Sequence, residues 1–256
     1  MNILAIGNSF SQDATRYLHE VMRAGGVDST VVNLYIGGCS LKRHWDNAQA
    51  DAQDYLYELN GVSQDRYVSI DNALRERDWD VITLQQASHD SGMKETYEPY
   101  LSELIAYVRQ RAPHARLLMH QTWAYEMDST HSEFGRYNHS QNEMYERLSA
   151  AYSEAAKAHG MEIIPCGDVV QAVRGREPFI YGQGGMSLCR DGFHMSLVYG
   201  RMLLALSWYA RLTGRSAADI DYMPCPPLAP NGDAGDVDAA ALRVLGEAAD
   251  EVCARA

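Results

Sequence analysis

Short apolar runs of strand length alternate along this chain with longer amphipathic segments, and that rhythm restricts the fold more than any other feature. Residues 3–6 (Ile-Leu-Ala-Ile) read as a first strand and residues 15–24 as the helix after it. Residues 30–36 form a second strand that runs into Gly37-Gly38, and residues 81–84 a third, introduced by Asp78-Trp79-Asp80. Residues 117–120 follow the Pro113 break as a fourth, and residues 162–165 are a short fifth. Helical spacing marks residues 97–111, 141–158 and 197–212. Strand–helix alternation of this kind predicts an α/β protein with a central parallel sheet of about five strands and helices on both faces. At 256 residues and 46% apolar content the expectation is a single domain over residues 1–256.

Two stretches fall outside the rhythm. Residues 41–68 are polar and rich in Tyr and Asp, and are expected to be helix and loop beside the site. Residues 221–236 carry Pro224, Pro226, Pro227 and Pro230 among glycines and read as a surface connection, followed by an amphipathic helix over residues 237–256.

Ligands of parallel sheets collect at the carboxyl ends of the strands. Ser9, Gly38, Gln85 and the stretch from Gln121 to Trp123 each stand just past a strand end and should meet on one rim. Ser9 ends the turn Gly7-Asn8-Ser9, where a tight strand-to-helix connection exposes backbone N–H groups suited to a developing oxyanion. A serine becomes nucleophilic only when a base takes its proton, and His194 is a candidate base. Asp191, three residues earlier, is placed to fix the imidazole tautomer. The same residues also suit structural roles: Ser9, Ser11 or Asp13 can cap a helix, Asp191 can be an ordinary loop residue, and His194 can cap a helix over residues 196–211.

The blocks Gly7-Asn8-Ser9-Phe10-Ser11 and Asp191-Gly192-Phe193-His194 resemble the first and last blocks of the SGNH (GDSL-type) hydrolases. With Leu84-Gln85-Gln86-Ala87-Ser88 and Gln121-Thr122-Trp123-Ala124-Tyr125, the chain looks like a bacterial branch of that superfamily, DUF4886, over residues 2–212. The resemblance implies a three-layer, flavodoxin-like α/β/α sandwich and ester hydrolysis through an acyl-serine. It implies Ser9 as nucleophile, His194 as base and Asp191 as its orienting acid. The oxyanion would be held by the Ser9 N–H, a glycine N–H after the second strand (Gly38, with Gly37 as competitor) and a side-chain amide after the third. Where the superfamily has Gly-x-Asn-Asp, this chain has Gln85-Gln86-Ala87-Ser88, so Gln85 or Gln86 would supply that amide. Asn8 replaces the usual Asp before the nucleophile, in a bracing role.

Trp45, Trp123, Tyr125 and Gln86 are expected to contact substrate. Sixteen tyrosines against four phenylalanines suit a rim that binds sugars. The expected substrate is a small acyl ester, acetyl by preference, of a small molecule or oligosaccharide. A binding module without turnover, or a hydrolase of lipid esters or thioesters, is the alternative. No cofactor is expected, and His114, His120, His131 and His139 match no metal-ligand spacing. A formal charge of -12 without a basic cluster argues against nucleic acid. No run approaches the roughly 18 apolar residues of a membrane helix. The opening Met-Asn-Ile-Leu lacks a basic leader, and five scattered cysteines (39, 166, 189, 225 and 253) lack Cys-x-x-Cys spacing. Both suggest a cytoplasmic chain.

Overall fold

The structure, a computed structural model, describes residues 1–224 and 237–255. In chain order its elements are β1 (Asn2–Gly7), α1 (Ser9–Thr15), α2 (Leu18–Ala24), β2 (Thr30–Tyr35), α3 (Leu41–Ala50), β3 (Tyr55–Leu59), β4 (Val62–Val68) and α4 (Ile70–Glu76). There follow β5 (Val81–Leu84), α5 (Tyr100–Arg111), β6 (Arg116–His120), α6 (Gln141–His159), β7 (Glu162–Ile164), α7 (Cys166–Val173), α8 (Tyr199–Thr213) and α9 (Ala239–Cys253).

The sheet order among the described residues is β4-β3-β2-β1-β5-β6-β7. The five strands from β2 to β7 in that row pair in parallel, whereas β3 and β4 are antiparallel. Counting only the parallel strands, the second and first are followed by the third, fourth and fifth, which is the flavodoxin-like order.

Strand geometry sends alternate side chains to opposite faces, and both faces here are apolar. Ile3 and Ala5 of β1 join Val31, Val81, Leu118 and Ile164 in one core, covered by α1, α2, α7, α8 and α9. Leu4 and Ile6 join Val32, Leu34, Ile82 and Leu84 in a second core under α3, α4 and α5. That two-sided burial is why the parallel strands read as largely apolar runs, with Asn33 and Thr83 as buried polar positions.

The seven strands correct the expected five. Residues 55–68 form a hairpin where helix and loop were predicted. Its turn is Asn60-Gly61, with φ of 50° and 76°, between the paired Leu59 and Val62. A two-residue turn positive at both positions matches strand twist, and Asn-Gly is its favoured sequence. The polarity that disguised the hairpin has a simple cause. β4 is the sheet's edge, and most of its side chains face solvent, so it carries no apolar alternation.

The helix predicted over residues 15–24 is α2, Leu18–Ala24; Thr15 ends α1, and the chain breaks between the two at Arg16-Tyr17, where Tyr17 donates its hydroxyl to the Leu197 carbonyl (2.7 Å). The C-terminal helix is present as α9. Residues 225–236 of the predicted surface connection, with Cys225, lie outside the described residues, as does Ala256.

Candidate active site

Asn8 organises the carboxyl rim. It caps α1: its Oδ1 accepts from the Phe10 N–H (2.9 Å), and Ser11 Oγ accepts from the Asn8 N–H (3.0 Å). A cap of this kind contributes about 0.5–2 kcal/mol. The same side chain reaches two other loops. Its Nδ2 donates to the Cys39 carbonyl (3.0 Å) after β2, and Gln85 Nε2 after β5 donates to its Oδ1 (2.7 Å). Gln85 Oε1 in turn accepts from His120 Nδ1 (2.7 Å) at the end of β6. One buried chain of hydrogen bonds therefore ties together the ends of four adjacent parallel strands. A carbonyl oxygen partner requires Nδ1 of His120 to carry the proton, and burial holds this imidazole neutral, its pKa lowered to about 3.

Ser9 is the first helical residue after this cap and is half-buried, with no hydrogen bond from its hydroxyl to any described residue. In the loop that Asn8 ties through the Cys39 carbonyl, Gly38 adopts φ +61°, a left-handed conformation natural to glycine, and open space lies where a Cβ would stand. The N–H groups of Ser9 and Gly38 are both unbonded among the described residues. Gly37 is the neighbour, where a Cβ would stand 3.4 Å from the Tyr35 hydroxyl, an ordinary contact.

The Asp191–His194 segment is a tight hairpin. Arg190 N–H donates to the His194 carbonyl (2.9 Å) and Ser196 N–H to the Leu188 carbonyl (2.7 Å). Within it, Asp191 Oδ1 accepts from the amides of Phe193 (3.2 Å) and His194 (2.7 Å), and Oδ2 faces His194 Nδ1 at 2.7 Å. Partial burial raises the Asp191 pKa, but the hydrogen bonds from the His194 ring and backbone outweigh it, and the carboxyl lies below its ordinary value. With Nδ1 donating to the carboxylate, Nε2 is left as the acceptor, and it has no partner among the described residues. The imidazole stands 6.1 Å from the Phe10 ring, next in sequence to Ser9. The loop that carries His194 thus approaches the start of α1.

Of the residues predicted to contact substrate, Gln86, Trp123 and Tyr125 are buried and Trp45 is half-buried, while Gln85, predicted for the oxyanion, is engaged by Asn8. Gln85 is buried with its amide turned into the Asn8 cluster, away from the open side of the rim. Gln86 is fully buried as a bridge, accepting from the Leu41 and Ala87 amides and donating to Thr96. Trp123 is fully buried, stacked 4.1 Å from Phe10, and donates Nε1–H to the Phe193 carbonyl (2.8 Å). Tyr125 is fully buried and bonded to Ser88 Oγ (2.9 Å), burial pushing its phenol pKa up. Trp45 packs edge-on against Tyr107, 6.3 Å away between α3 and α5. These aromatics support the site's floor or lie off it, because rings this large are drawn into the core by the area they bury.

The rim residues missed from sequence are Phe193, His131 and His89. The Phe193 ring lies 4.2 Å from His194 and 4.7 Å from His131, which faces His89 at 6.3 Å. Burial first, and the neighbouring His89 second, lower the His131 pKa. No spacing in the sequence joins residues 89, 131 and 193; only the convergence of three loops does. No group of three or more His, Cys, Asp or Glu side chains among the described residues is arranged to hold a metal ion.

Sheet order, layers and the rim define an α/β/α fold of the SGNH hydrolase type. A putative SGNH hydrolase from Slackia heliotrinireducens superposes with a TM-score of 0.57 at 21% identity, over 83% of this chain and 98% of that one. An acetyl xylan esterase, AlAXEase, superposes with a TM-score of 0.55 at 13% identity, over 82% of this chain and 98% of its own. The profile of a family described as a domain of unknown function, DUF4886, matches residues 2–229. A DUF4886 protein from Bacteroides uniformis is 37% identical over 98% of this chain and 94% of its own, with a TM-score of 0.87. The chain belongs to the DUF4886 family. No curated protein matches its sequence.

Proposed function

We propose that this protein is a serine esterase that removes a small acyl group, acetyl by preference, from a polar alcohol such as a carbohydrate. The observation that carries the reading is the Asp191–His194 pair, bonded at 2.7 Å, whose imidazole stands 6.1 Å from the ring of Phe10, the residue after Ser9. In this mechanism Ser9 Oγ attacks the ester carbonyl carbon as its proton passes to His194 Nε2. The Ser9 and Gly38 N–H groups receive the oxyanion. His194 returns the proton to the departing alcohol, and Asp191 holds the ring and balances its transient charge. Water, deprotonated by His194, then cleaves the acyl-serine and releases the acid. No step calls on a cofactor.

The small acyl group and sugar are supported by the acetyl xylan esterase among the structural relatives and by the polar imidazole of His131 against Phe193, with His89 facing it. The test is hydrolysis of p-nitrophenyl acetate by wild type and Ser9→Ala at several pH values, followed by acetylated oligosaccharides. Turnover is expected to fall at least ~10⁴-fold in the variant; equal rates in both would overturn the reading.

A second reading, a binding module with slow or no turnover, is favoured by one observation. Gln85 is committed to Asn8, which leaves two backbone donors for the oxyanion, and one missing donor typically costs roughly 10²–10³ in rate. Binding of acetylated oligosaccharides without acid release would select it.

A further inference from the structure

Asp13 is fully buried, yet it belongs to no step of the proposed reaction. It lies four residues after Ser9 on α1, hence on the same face of the helix, about one turn below the nucleophile. Its carboxylate is saturated by the segment that carries the catalytic pair. Arg190 Nη1 meets both oxygens at 3.0 Å, Arg201 Nε reaches Oδ1 at 2.8 Å, and the Met195 N–H donates to Oδ2 at 2.9 Å. Arg190 also donates to the Met195 carbonyl, closing the loop on itself. Two of these partners flank the catalytic pair directly: Arg190 precedes Asp191 and Met195 follows His194. The Arg201 backbone N–H, in α8, donates to the Ser196 carbonyl (3.1 Å).

A buried carboxylate is tolerated only where charge and hydrogen bonds replace its lost hydration, so its partners are held in one arrangement. Other ties of this hairpin run to the β6–α6 loop, from Glu126 N–H to the Gly192 carbonyl (2.7 Å) and from Trp123 to Phe193. Asp13 joins it to the helix that bears Ser9. We infer that Asp13, with Arg190 and Arg201, is a positioning residue that fixes the distance between Ser9 and His194. This inference rests on the esterase reading for its kinetic consequence but not for its structural one. Misplacement of a catalytic group by about 1 Å can cost roughly a hundredfold in rate.

The experiment pairs steady-state kinetics on p-nitrophenyl acetate, normalised to folded protein, with amide hydrogen exchange of residues 188–198. Asp13→Asn is expected to lower kcat about 10- to 100-fold with KM within about twofold, and to accelerate exchange in that segment while β1, β5 and β6 keep their protection. Arg190→Met leaves Asp13 paired with Arg201 and Met195, so it tests the same point if Asp13→Asn does not fold. It should lower kcat several-fold, and Arg190→Lys should restore most of the loss. Wild-type kcat in both Asp13→Asn and Arg190→Met, or a loss of kcat matched by faster exchange throughout the sheet, would overturn the proposal. Absence of Ser9-dependent turnover in the wild type would remove the esterase reading alone. Exchange at 188–198 would then decide: faster in Asp13→Asn sustains the anchor, and unchanged removes it.

Discussion

At the carboxyl ends of the parallel strands, Asn8, Gln85 and His120 are almost wholly buried and bonded to one another, and each loop depends on its neighbours. At the amino ends, Arg116 and Glu162 pair at 3.0 Å with 45% of each side chain in solvent, and the N-terminal amine stands 3.9 Å from an exposed Asp80. Polar groups at the first rim have no water to fall back on, so losing one partner strands the other. Those at the second exchange a partner for water at little cost. A site that must hold separate loops in fixed geometry is built the first way; solubility needs only the second.

Four substitutions sharpen or break that contrast. Asp191→Asn would place an N–H₂ opposite His194 Nδ1 and push the proton to Nε2, leaving Ser9 without a base. A fall in kcat of about 10³–10⁴ in p-nitrophenyl acetate hydrolysis is expected, with the circular dichroism spectrum retained. Asn8→Asp keeps the acceptor for Phe10 and Gln85 but sets a carboxylate oxygen against the Cys39 carbonyl. Urea unfolding should show a loss of about 1–3 kcal/mol.

His120→Gln bears on acid stability. The folded pKa is about 3 against an ordinary 6.5. The unfolded chain therefore binds the extra proton between those values, and the stability held above pH 6.5 is lost as pH falls through that window. Removing this imidazole should flatten the dependence of unfolding free energy on pH by up to about 1.4 kcal/mol per pH unit between 4 and 6. An unchanged slope would mean that His120 is not held neutral. Arg116→Gln, at the opposite rim, should change stability by less than about 0.5 kcal/mol. A loss of 2 kcal/mol or more there would erase the contrast between the two ends.

Much of this was legible in the residues themselves. The five parallel strands could be read because burial on both faces leaves them few polar positions, Asn33 and Thr83 among them, to blur the apolar runs. The pairing of Asp191 with His194 was legible because its geometry is local: an Asp side chain bonding amides two and three residues on. The hairpin of β3 and β4 was announced by Asn60-Gly61 but hidden by the polarity of an edge strand. Gln85, Gln86, Trp123 and Tyr125 stood at the right strand ends, yet position along the chain says nothing of which way a side chain turns.

Sequence alone determined the alternation that builds a parallel sheet, the rim on which its loops end and the residue types able to perform acyl transfer. Those are properties of periodicity and local bonding, written within a few residues of each other. Tertiary structure decided that Gln85 braces Asn8, that Trp123 and Tyr125 are buried, that Phe193 packs against both His194 and His131, and that Asp13 meets Arg190 across 177 positions. These outcomes depend on packing and desolvation between distant segments, where burial selects which polar group finds a partner, and no local pattern encodes that choice.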